Sequence, residues 1–360
     1  MGAMIDWRLA QQLATFVAGE GTGSKPASHA ASASLPRLVE IAAESERVVS
    51  AYSGLRSPAG LPAAEPVSRG RWIEANVRSL PVMLEPLTDQ VGERLGPLAP
   101  TVRGAAGAVL AAEVGVLFGY MARHVLGQYE LVILDPEAPA RLLFVAPNLE
   151  ETAQAFDADR DELLTWVALH EITHALQFGG VPWLREHLAS LVRELLGSVE
   201  VSLDAARLLR MPSARDLRAL VEAVRSGDLL TLVTRPEQRE LIDRIQTTMS
   251  VLEGYAEHVM DAVGATMLTS LPALRAAMER RRASRTGLAR LLSRLLGIEL
   301  KLRQYENGKR FCDAVVQREG IAALNRVWRA PEMLPAPHEL TSADAWIRRC
   351  TFTGGKIVEA

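Results

Sequence analysis

A run of twenty residues without glycine or proline, 159–178, is the feature that most constrains the fold of this sequence. Asp157 and Asp159 lie at its start, where a side-chain oxygen can cap a helix and a negative charge suits the positive helix end. Gly179 and Gly180 follow it, and glycines are typical of a helix end. We therefore predict one α-helix over this stretch.

Inside the predicted helix lies His170-Glu171-x-x-His174. Residues four apart share a helix face, so the two imidazoles can direct a nitrogen at the same point. Zinc binds neutral imidazole at about 2.0–2.1 Å and keeps an open position in catalytic sites. Glu171 is suited to take a proton from a zinc-bound water, whose pKa the ion lowers to about 7. The pattern predicts a Zn²⁺ site with two histidine ligands and Glu171 as general base.

The alternative interpretation is a pair of ordinary helix histidines. Residues 163–169 and 172–178 are almost all apolar or uncharged, which is typical of a buried helix. Burying two histidines and a glutamate without partners is costly, and a metal site satisfies all three. The flanks therefore favour the metal site.

Catalytic zinc usually takes three protein ligands. A second predicted helix contains Glu253, Glu257, His258 and Asp261. Glu253 and Glu257 share a face that Asp261 continues, whereas His258 points elsewhere. The residues alone leave the third ligand open between Glu253, Glu257 and His258.

Composition and charge narrow the class of protein. Only two cysteines occur, Cys312 and Cys350, which excludes a disulfide framework and fits a reducing, cytoplasmic compartment. The first residues show no secretory signal pattern. The net charge of −3 gives no argument for nucleic acid. Residues 275–310 hold eleven Arg or Lys but almost no aromatics, so we interpret them as solvated helix faces and expect no nucleic-acid partner.

Residues 104–122 are apolar enough to raise a membrane-spanning alternative. Glu113 lies in the middle of them, and glycine and alanine dominate. A charge at the bilayer centre is costly, so we predict a close-packed buried helix and no membrane contact. Glu113 would then need a partner inside the protein.

The fold class predicted is mainly α with a small β-hairpin or sheet. The hairpin is predicted from strands 131–134 and 142–146, joined by the turn-type residues of 135–140. Loops are predicted at 19–36 and 54–70. Predicted helices cover 5–18, 37–53, 72–87 with a break at Pro81, 102–126, 183–196, 198–209, 213–226, 236–265, 271–282, 285–305 and 307–318. We expect an N-terminal helical region, 1–100, and a catalytic region, 101–360, with a helical insertion at 181–250, or one integrated domain.

The segment Glu253-Gly254-Tyr255-Ala256-Glu257 resembles the Glu-Gly-aromatic-Ala segment of gluzincin aminopeptidases, in which the glutamate is the third zinc ligand. The resemblance implies that Glu253 is a ligand here. The spacing differs, because 78 residues lie between His174 and Glu253, far more than in that group. Glu257 or Asp261 would then hold a ligand histidine by its other nitrogen.

Most of residues 120–350 also resemble a bacterial zincin-like family of the Zincin-2 type, which is associated with deazaflavin coenzyme biosynthesis. The matching segments are 127–131, 170–178, 181–185, 252–261 and 301–306. The resemblance implies a mainly helical zinc hydrolase with a zincin-like core and large helical additions.

The sequence thus predicts a zinc metallohydrolase, most simply a peptidase that acts on a peptide or small amide substrate. The alternative is a non-catalytic, zinc-stabilised helical scaffold that binds a partner. An oxyanion needs a hydrogen-bond donor beside the metal. We select Tyr255 as the catalytic donor, with Tyr305, His258 and Arg185 as further candidates. The sequence does not predict an oligomeric state.

Overall fold

The computed structural model describes residues 5–20, 37–94, 99–198, 236–283 and 298–354, with side chains for 5–20, 37–81, 107–198, 237–280 and 306–351. The fold is mainly helical with one small sheet, which confirms the predicted class. The described α-helices are α1 Trp7–Val17, α2 Leu38–Ser53, α3 Arg69–Arg94, α4 Ala99–Ala122, α5 Ala146–Phe156, α6 Arg160–Gly180, α7 Leu184–Ser198, α8 Pro236–Met267, α9 Leu271–Ala283, α10 Ile298–Glu319, α11 Ile321–Leu324 and α12 Ala343–Gly354. The described strands are β1 Ala64–Val67, β2 Gly127–Glu130 and β3 Arg141–Val145.

The sheet has the order β1-β3-β2, with β1 parallel and β2 antiparallel to β3. An antiparallel pair is present and its second strand was predicted, but its first strand is β2, so the strand predicted at 131–134 is wrong. Strand β1 lies in a segment that was predicted as a loop, and that prediction is wrong. Pro66 in β1 cannot donate a ladder hydrogen bond, and an edge strand tolerates this loss. The central strand β3 is buried from Leu142 to Val145 and pairs on both sides.

Helices α1 and α4 pack through a small-residue face. A Cβ atom on Gly115 would lie 2.8 Å from the carbonyl oxygen of Ala10, and one on Gly119 would lie 2.6 Å from that of Ala14.

The side chain of Glu113 on α4 is exposed, so the prediction that it needs a partner inside the protein is wrong. Among the described residues, the helices all fall short of the length and apolarity that a membrane crossing requires.

Two predicted helix breaks are absent. Helix α3 runs through Pro81, and α10 is continuous where a break near residue 306 was predicted. A proline removes one N–H donor, which weakens a helix without always ending it. The loop predicted at 19–36 and the helices predicted at 198–209, 213–226 and 285–305 lie largely outside the described residues.

The contacts divide the chain into two compact units. The first comprises 1–47, 60–175 and 199–203, and it holds the sheet. The second comprises 48–59, 176–198 and 204–360, and it holds helices α7 to α12. The division passes through the continuous helix α6 and through the end of α2. The predicted domain boundary near residue 100 stays a prediction.

In the second unit, α8 and α10 cross with their backbones in direct contact. A Cβ atom on Gly254 would lie 2.2 Å from the carbonyl carbon of Gly308, and one on Gly308 would lie 1.9 Å from the carbonyl oxygen of Ser250. Glycine at both positions permits this approach. The crossing fixes the stretch of α8 that carries Glu253.

Candidate metal centre

Helix α6 begins with the predicted cap. The amide of Glu162 donates to Oδ1 of Asp159 over 2.9 Å. Asp157 instead adopts a left-handed conformation with φ of 50° and ends α5. The helix includes Gly179 and Gly180 and ends there, as predicted.

The two glycines also have a packing role that the sequence did not reveal. A Cβ atom on Gly179 would lie 2.5 Å from Oγ of Ser57, and one on Gly180 would lie 2.5 Å from the carbonyl oxygen of Arg56. The segment 56–57 therefore lies directly against the last turn of α6.

The histidine pair meets as the helical spacing predicts. The Nε2 atoms of His170 and His174 lie 3.1 Å apart, and the two rings are perpendicular with centroids 4.7 Å apart. Both side chains are half-buried, whereas Leu169 and Ile172 beside them are buried. Two imidazole nitrogens therefore point to one place on an otherwise apolar helix.

Glu171 is held at the edge of the sheet. Its Oε2 accepts a hydrogen bond of 2.8 Å from the amide of Tyr129, and the residue is 8% exposed. Leu126 accepts from the amide of Val145 across the ladder. Along an antiparallel strand, residues that hydrogen-bond to the neighbouring strand alternate with residues whose N–H and C=O groups point away from it. Since Leu126 bonds to β3, Gly127 and Tyr129 turn their backbone polar groups away from β3.

Gly127 makes this contact sterically feasible. A Cβ atom there would lie 2.8 Å from Cγ of Glu171 and 2.7 Å from Cγ1 of Val167. Gly127 belongs to the segment 127–131 that resembles the zincin-like family, and the resemblance implies no role for it. Its role is to let strand β2 approach the helix closely enough for Tyr129 to bind the carboxylate.

Glu253 of α8 lies near the histidine pair of α6. The buried side chain of Gln177, one turn after His174 on α6, donates to the carbonyl oxygen of Leu252 over 3.1 Å. One ligand atom each of His170, His174 and Glu253 lies within 4.8 Å of the others, and within the described residues these three could hold a metal ion.

Three other predicted residues have partners that the structure defines. His258 is buried, with Nδ1 2.7 Å from Oδ1 of Asp313 and Nε2 2.8 Å from the hydroxyl of Tyr52. Asp261 pairs with Arg275 and Lys309. Tyr255 has no exposed surface, and its hydroxyl donates to Oδ1 of Asn325 over 2.8 Å.

The catalytic role predicted for Tyr255 stays a prediction, and its position favours a packing role. Burial raises the pKa of its phenol well above the usual range, so the hydroxyl keeps its proton. Glu257 and Arg185 are half-buried, and the side chain of Tyr305 lies outside the described residues.

Sequence reasoning missed Tyr52 and Asp313. Tyr52 lies in the last turn of α2 and reaches His258 across 206 residues of sequence. Asp313 sits four residues after Lys309 on α10 and binds it, a spacing common on any charged helix. No pattern in the sequence connects either residue with α8.

The helix-borne pair His170 and His174 and the carboxylate of Glu253 from a second helix thus form a candidate three-residue metal centre on a mainly helical fold. The chain belongs to the zincin-like metallopeptidase family, whose sequence profile matches residues 5–347.

One solved structure is similar to this chain over nearly its whole length. It is a crystal structure from Chloroflexus aurantiacus, described as a proposed hydrolase with a novel fold. The two sequences are 29% identical, and the match covers 96% of this chain and 99% of that chain with a TM-score of 0.70. No protein of curated function is similar enough to this chain to count as a match.

Proposed function

We propose that the protein is a zinc-dependent hydrolase that cleaves peptide or small amide bonds. In this proposal His170, His174 and Glu253 hold the ion and Glu171 is the general base. The observation that carries it is the convergence of these three ligand atoms within 4.8 Å. Membership of the zincin-like metallopeptidase family supports it.

The donor set fits zinc. Two imidazole nitrogens and one carboxylate oxygen are the ligands of a three-residue catalytic zinc site, which leaves a position for water. The Nε2 atoms of His170 and His174, 3.1 Å apart, direct their lone pairs to one place. A bound zinc ion supplies a water that ionises near neutral pH.

The protein's own residues then move the proton. The amide of Tyr129 binds Oε2 of Glu171 and fixes the carboxylate, which leaves Oε1 to accept a proton from the attacking water. Glu171 passes this proton to the leaving amine. Because the carboxylate does not have to reorient, little of its conformational freedom is lost at that step.

Strand β2 pairs with β3 on one side and is an edge strand of the described sheet, a position suited to an extended peptide. Gly127 and Tyr129 turn their backbone groups away from β3, and Glu171 occupies the amide of Tyr129. The amide and carbonyl of Gly127 are therefore the groups we assign to substrate pairing. This assignment favours a peptide over a small amide.

The second candidate is a scaffold with a structural metal site. A structural site closes its coordination with a fourth protein ligand and has no use for a base. The fixed position of Glu171 favours the hydrolase. The cytoplasmic location and the association with deazaflavin coenzyme biosynthesis stay predictions.

Metal content is the first test. We expect about one zinc per chain by elemental analysis, lost in both His174→Ala and Glu253→Ala. Glu240→Ala changes an exposed glutamate of the same helix α8 and is the matched control, expected to keep zinc. Zinc retained by Glu253→Ala would assign the third ligand to Glu257 or His258. Absence of zinc from the wild type after supplementation would overturn the proposal.

Hydrolysis is the second test. We expect the zinc-loaded wild type to cleave members of a quenched-fluorescent peptide library, and o-phenanthroline to stop the cleavage. A zinc-loaded protein that cleaves none of them would favour the scaffold.

A further inference from the structure

A cavity of about 450 Å³ lies in the second unit, and the proposed metal ligands are not among the residues that line it. Helices α7 and α8 contribute His187, Arg244 and Thr247 to its wall, and the segment 331–337 contributes another part. Small-molecule sites in proteins occupy about 300–1,000 Å³. The cavity therefore has the size of a site for a small ligand.

The segment 331–337 forms a rigid and largely apolar wall. Three of its residues are prolines that line the cavity, and each proline ring fixes its own φ angle. Arg349 donates to the carbonyl oxygens of Glu332 and Leu334 over 2.8 and 2.9 Å. The same guanidinium pairs with Glu339, so its charge is compensated within the wall. A wall held in this way needs little ordering when a ligand binds.

The helical part of the wall carries polar groups that lack protein partners. Among the described residues, the guanidinium of Arg244, the ring nitrogens of His187 and the hydroxyl of Thr247 have no hydrogen-bond or ion-pair partner. Thr247 is buried and His187 is half-buried, so bulk water reaches them only in part. Leaving such groups unsatisfied is costly, and a polar ligand in the cavity would satisfy them.

The charges on the cavity wall are of both signs. Arg244 provides a positive charge and Glu332 a negative one, and neither forms an ion pair within the described part of the chain. Burial lowers the pKa of His187, the charge of Arg244 lowers it further, and the charge of Glu332 opposes them. The imidazole is therefore neutral near pH 7, and one full charge of each sign is left uncompensated.

We propose that this cavity binds a zwitterionic amino acid with an apolar side chain. Arg244 binds the α-carboxylate, which suits the planar guanidinium, and Glu332 accepts hydrogen bonds from the α-ammonium group. The hydroxyl of Thr247 and one N–H of His187 are further donors for the carboxylate. The prolines of the segment 331–337 contact the apolar side chain.

The balance of charge favours a zwitterion over simpler ligands. A plain carboxylate would leave the negative charge of Glu332 without a counter-charge, and a plain amine would do the same to Arg244. A free amino acid carries both charges on one carbon atom and fits a small cavity. The proposal does not depend on the hydrolase function, because the site uses neither the metal ligands nor Glu171.

Binding to the zinc-loaded wild type is the first test. We expect isothermal titration calorimetry to show that valine, leucine, methionine or phenylalanine binds with a Kd below about 1 mM. The N-acetyl derivative of the tightest ligand lacks the positive charge, and its amide lacks the negative charge. Each should bind about 10-fold or more weakly. Failure of all these amino acids to bind, or equal affinity for the derivatives, would overturn the proposal.

Substitutions assign each charge to its partner. Arg244→Gln should weaken binding of the amino acid by about 10- to 100-fold and leave binding of its amide unchanged. Glu332→Gln should weaken binding of the amino acid and leave binding of the N-acetyl derivative unchanged. Arg239→Gln and Glu240→Gln change exposed residues of α8 that do not line the cavity, and they should bind like the wild type. Wild-type affinity in either Arg244→Gln or Glu332→Gln would overturn the zwitterion site.

A zinc ion can itself bind an amino acid, so the metal centre needs a separate control. Zinc-free wild type, prepared with o-phenanthroline, should bind the amino acid as the zinc-loaded protein does. Binding that disappears with zinc but survives in Arg244→Gln would place the ligand at the metal centre and overturn the proposal. A wild type that takes up no zinc but binds the amino acid through Arg244 would support this site and overturn only the proposed hydrolase.

Discussion

The amide of Tyr129 donates a hydrogen bond of 2.8 Å to Oε2 of Glu171. This bond joins the edge strand of the sheet to the helix that carries the histidine pair. It fixes one oxygen of the carboxylate and limits its rotation. Both the position of Glu171 and the space that Gly127 leaves for it can therefore be tested by substitution.

Glu171→Gln should keep zinc and lose hydrolysis. The amide oxygen can still accept from Tyr129, but the neutral side chain cannot take a proton from water. We expect kcat to fall by about 10²–10⁴-fold, measured with the peptide library, at an unchanged zinc content. Glu162→Gln, at the start of the same helix, is the control. Activity retained by Glu171→Gln would remove Glu171 from the role of base.

Gly127→Ala should lower both stability and activity. Its Cβ atom would lie 2.7 Å from Val167 and 2.8 Å from Glu171, so strand and helix must separate. Such overpacking costs about 1–3 kcal/mol, to be measured by urea unfolding, and kcat should fall with it. Gly197→Ala on α7, where nothing lies within 4 Å of the new Cβ, should be neutral or stabilising. Equal effects of the two substitutions would contradict the proposed contact.

The sequence predicted the parts of the site that lie on one helix. The four-residue spacing of His170 and His174 puts both on one face, and the cap at Asp159 begins that helix. Helical periodicity carries no information about partners from distant segments, so Tyr52 and Asp313 were missed. Strand β1 was missed because a short edge strand with Pro66 resembles a loop in sequence.

Gly254 shows how the structure explains a motif that resemblance only identified. The Glu-Gly-aromatic-Ala segment points to Glu253 as a ligand, but it does not say why glycine follows. In the structure that glycine lies against the backbone of Gly308, which lets α8 and α10 cross in direct contact. The glycine therefore fixes the part of α8 that presents the carboxylate.

Gly254→Ala should consequently destabilise the second unit and weaken metal binding. A Cβ atom 2.2 Å from a backbone carbon cannot be accommodated without moving a helix. We expect a loss of about 1–3 kcal/mol or more in the free energy of unfolding, together with a weaker zinc affinity. Gly264→Ala, on the same helix, meets only ordinary contacts at 3.5 Å and should stabilise by about 0.5–1 kcal/mol. A stable, fully metallated Gly254→Ala would show that the crossing does not control the position of Glu253.

The ion pair between buried Glu339 and half-buried Arg349 should make stability depend on pH. Burial by itself raises the pKa of Glu339, but hydrogen bonds from Arg349 and from the amide of Ala336 outweigh it and lower the pKa. A carboxyl with a lowered pKa in the folded state contributes stability above its unfolded pKa of about 4.5 and loses it as the pH falls through the folded value.

We therefore expect the free energy of unfolding of the wild type to fall as the pH is lowered below about 4.5. Glu339→Gln should be less stable at neutral pH and should show a smaller fall, because it has no carboxyl to protonate. Urea unfolding at several pH values measures both. Glu306→Gln changes an exposed glutamate that pairs with Arg310 in solvent, and it should follow the wild-type curve. If Glu339→Gln keeps the full acid dependence, the ion pair of Glu339 with Arg349 is not its source.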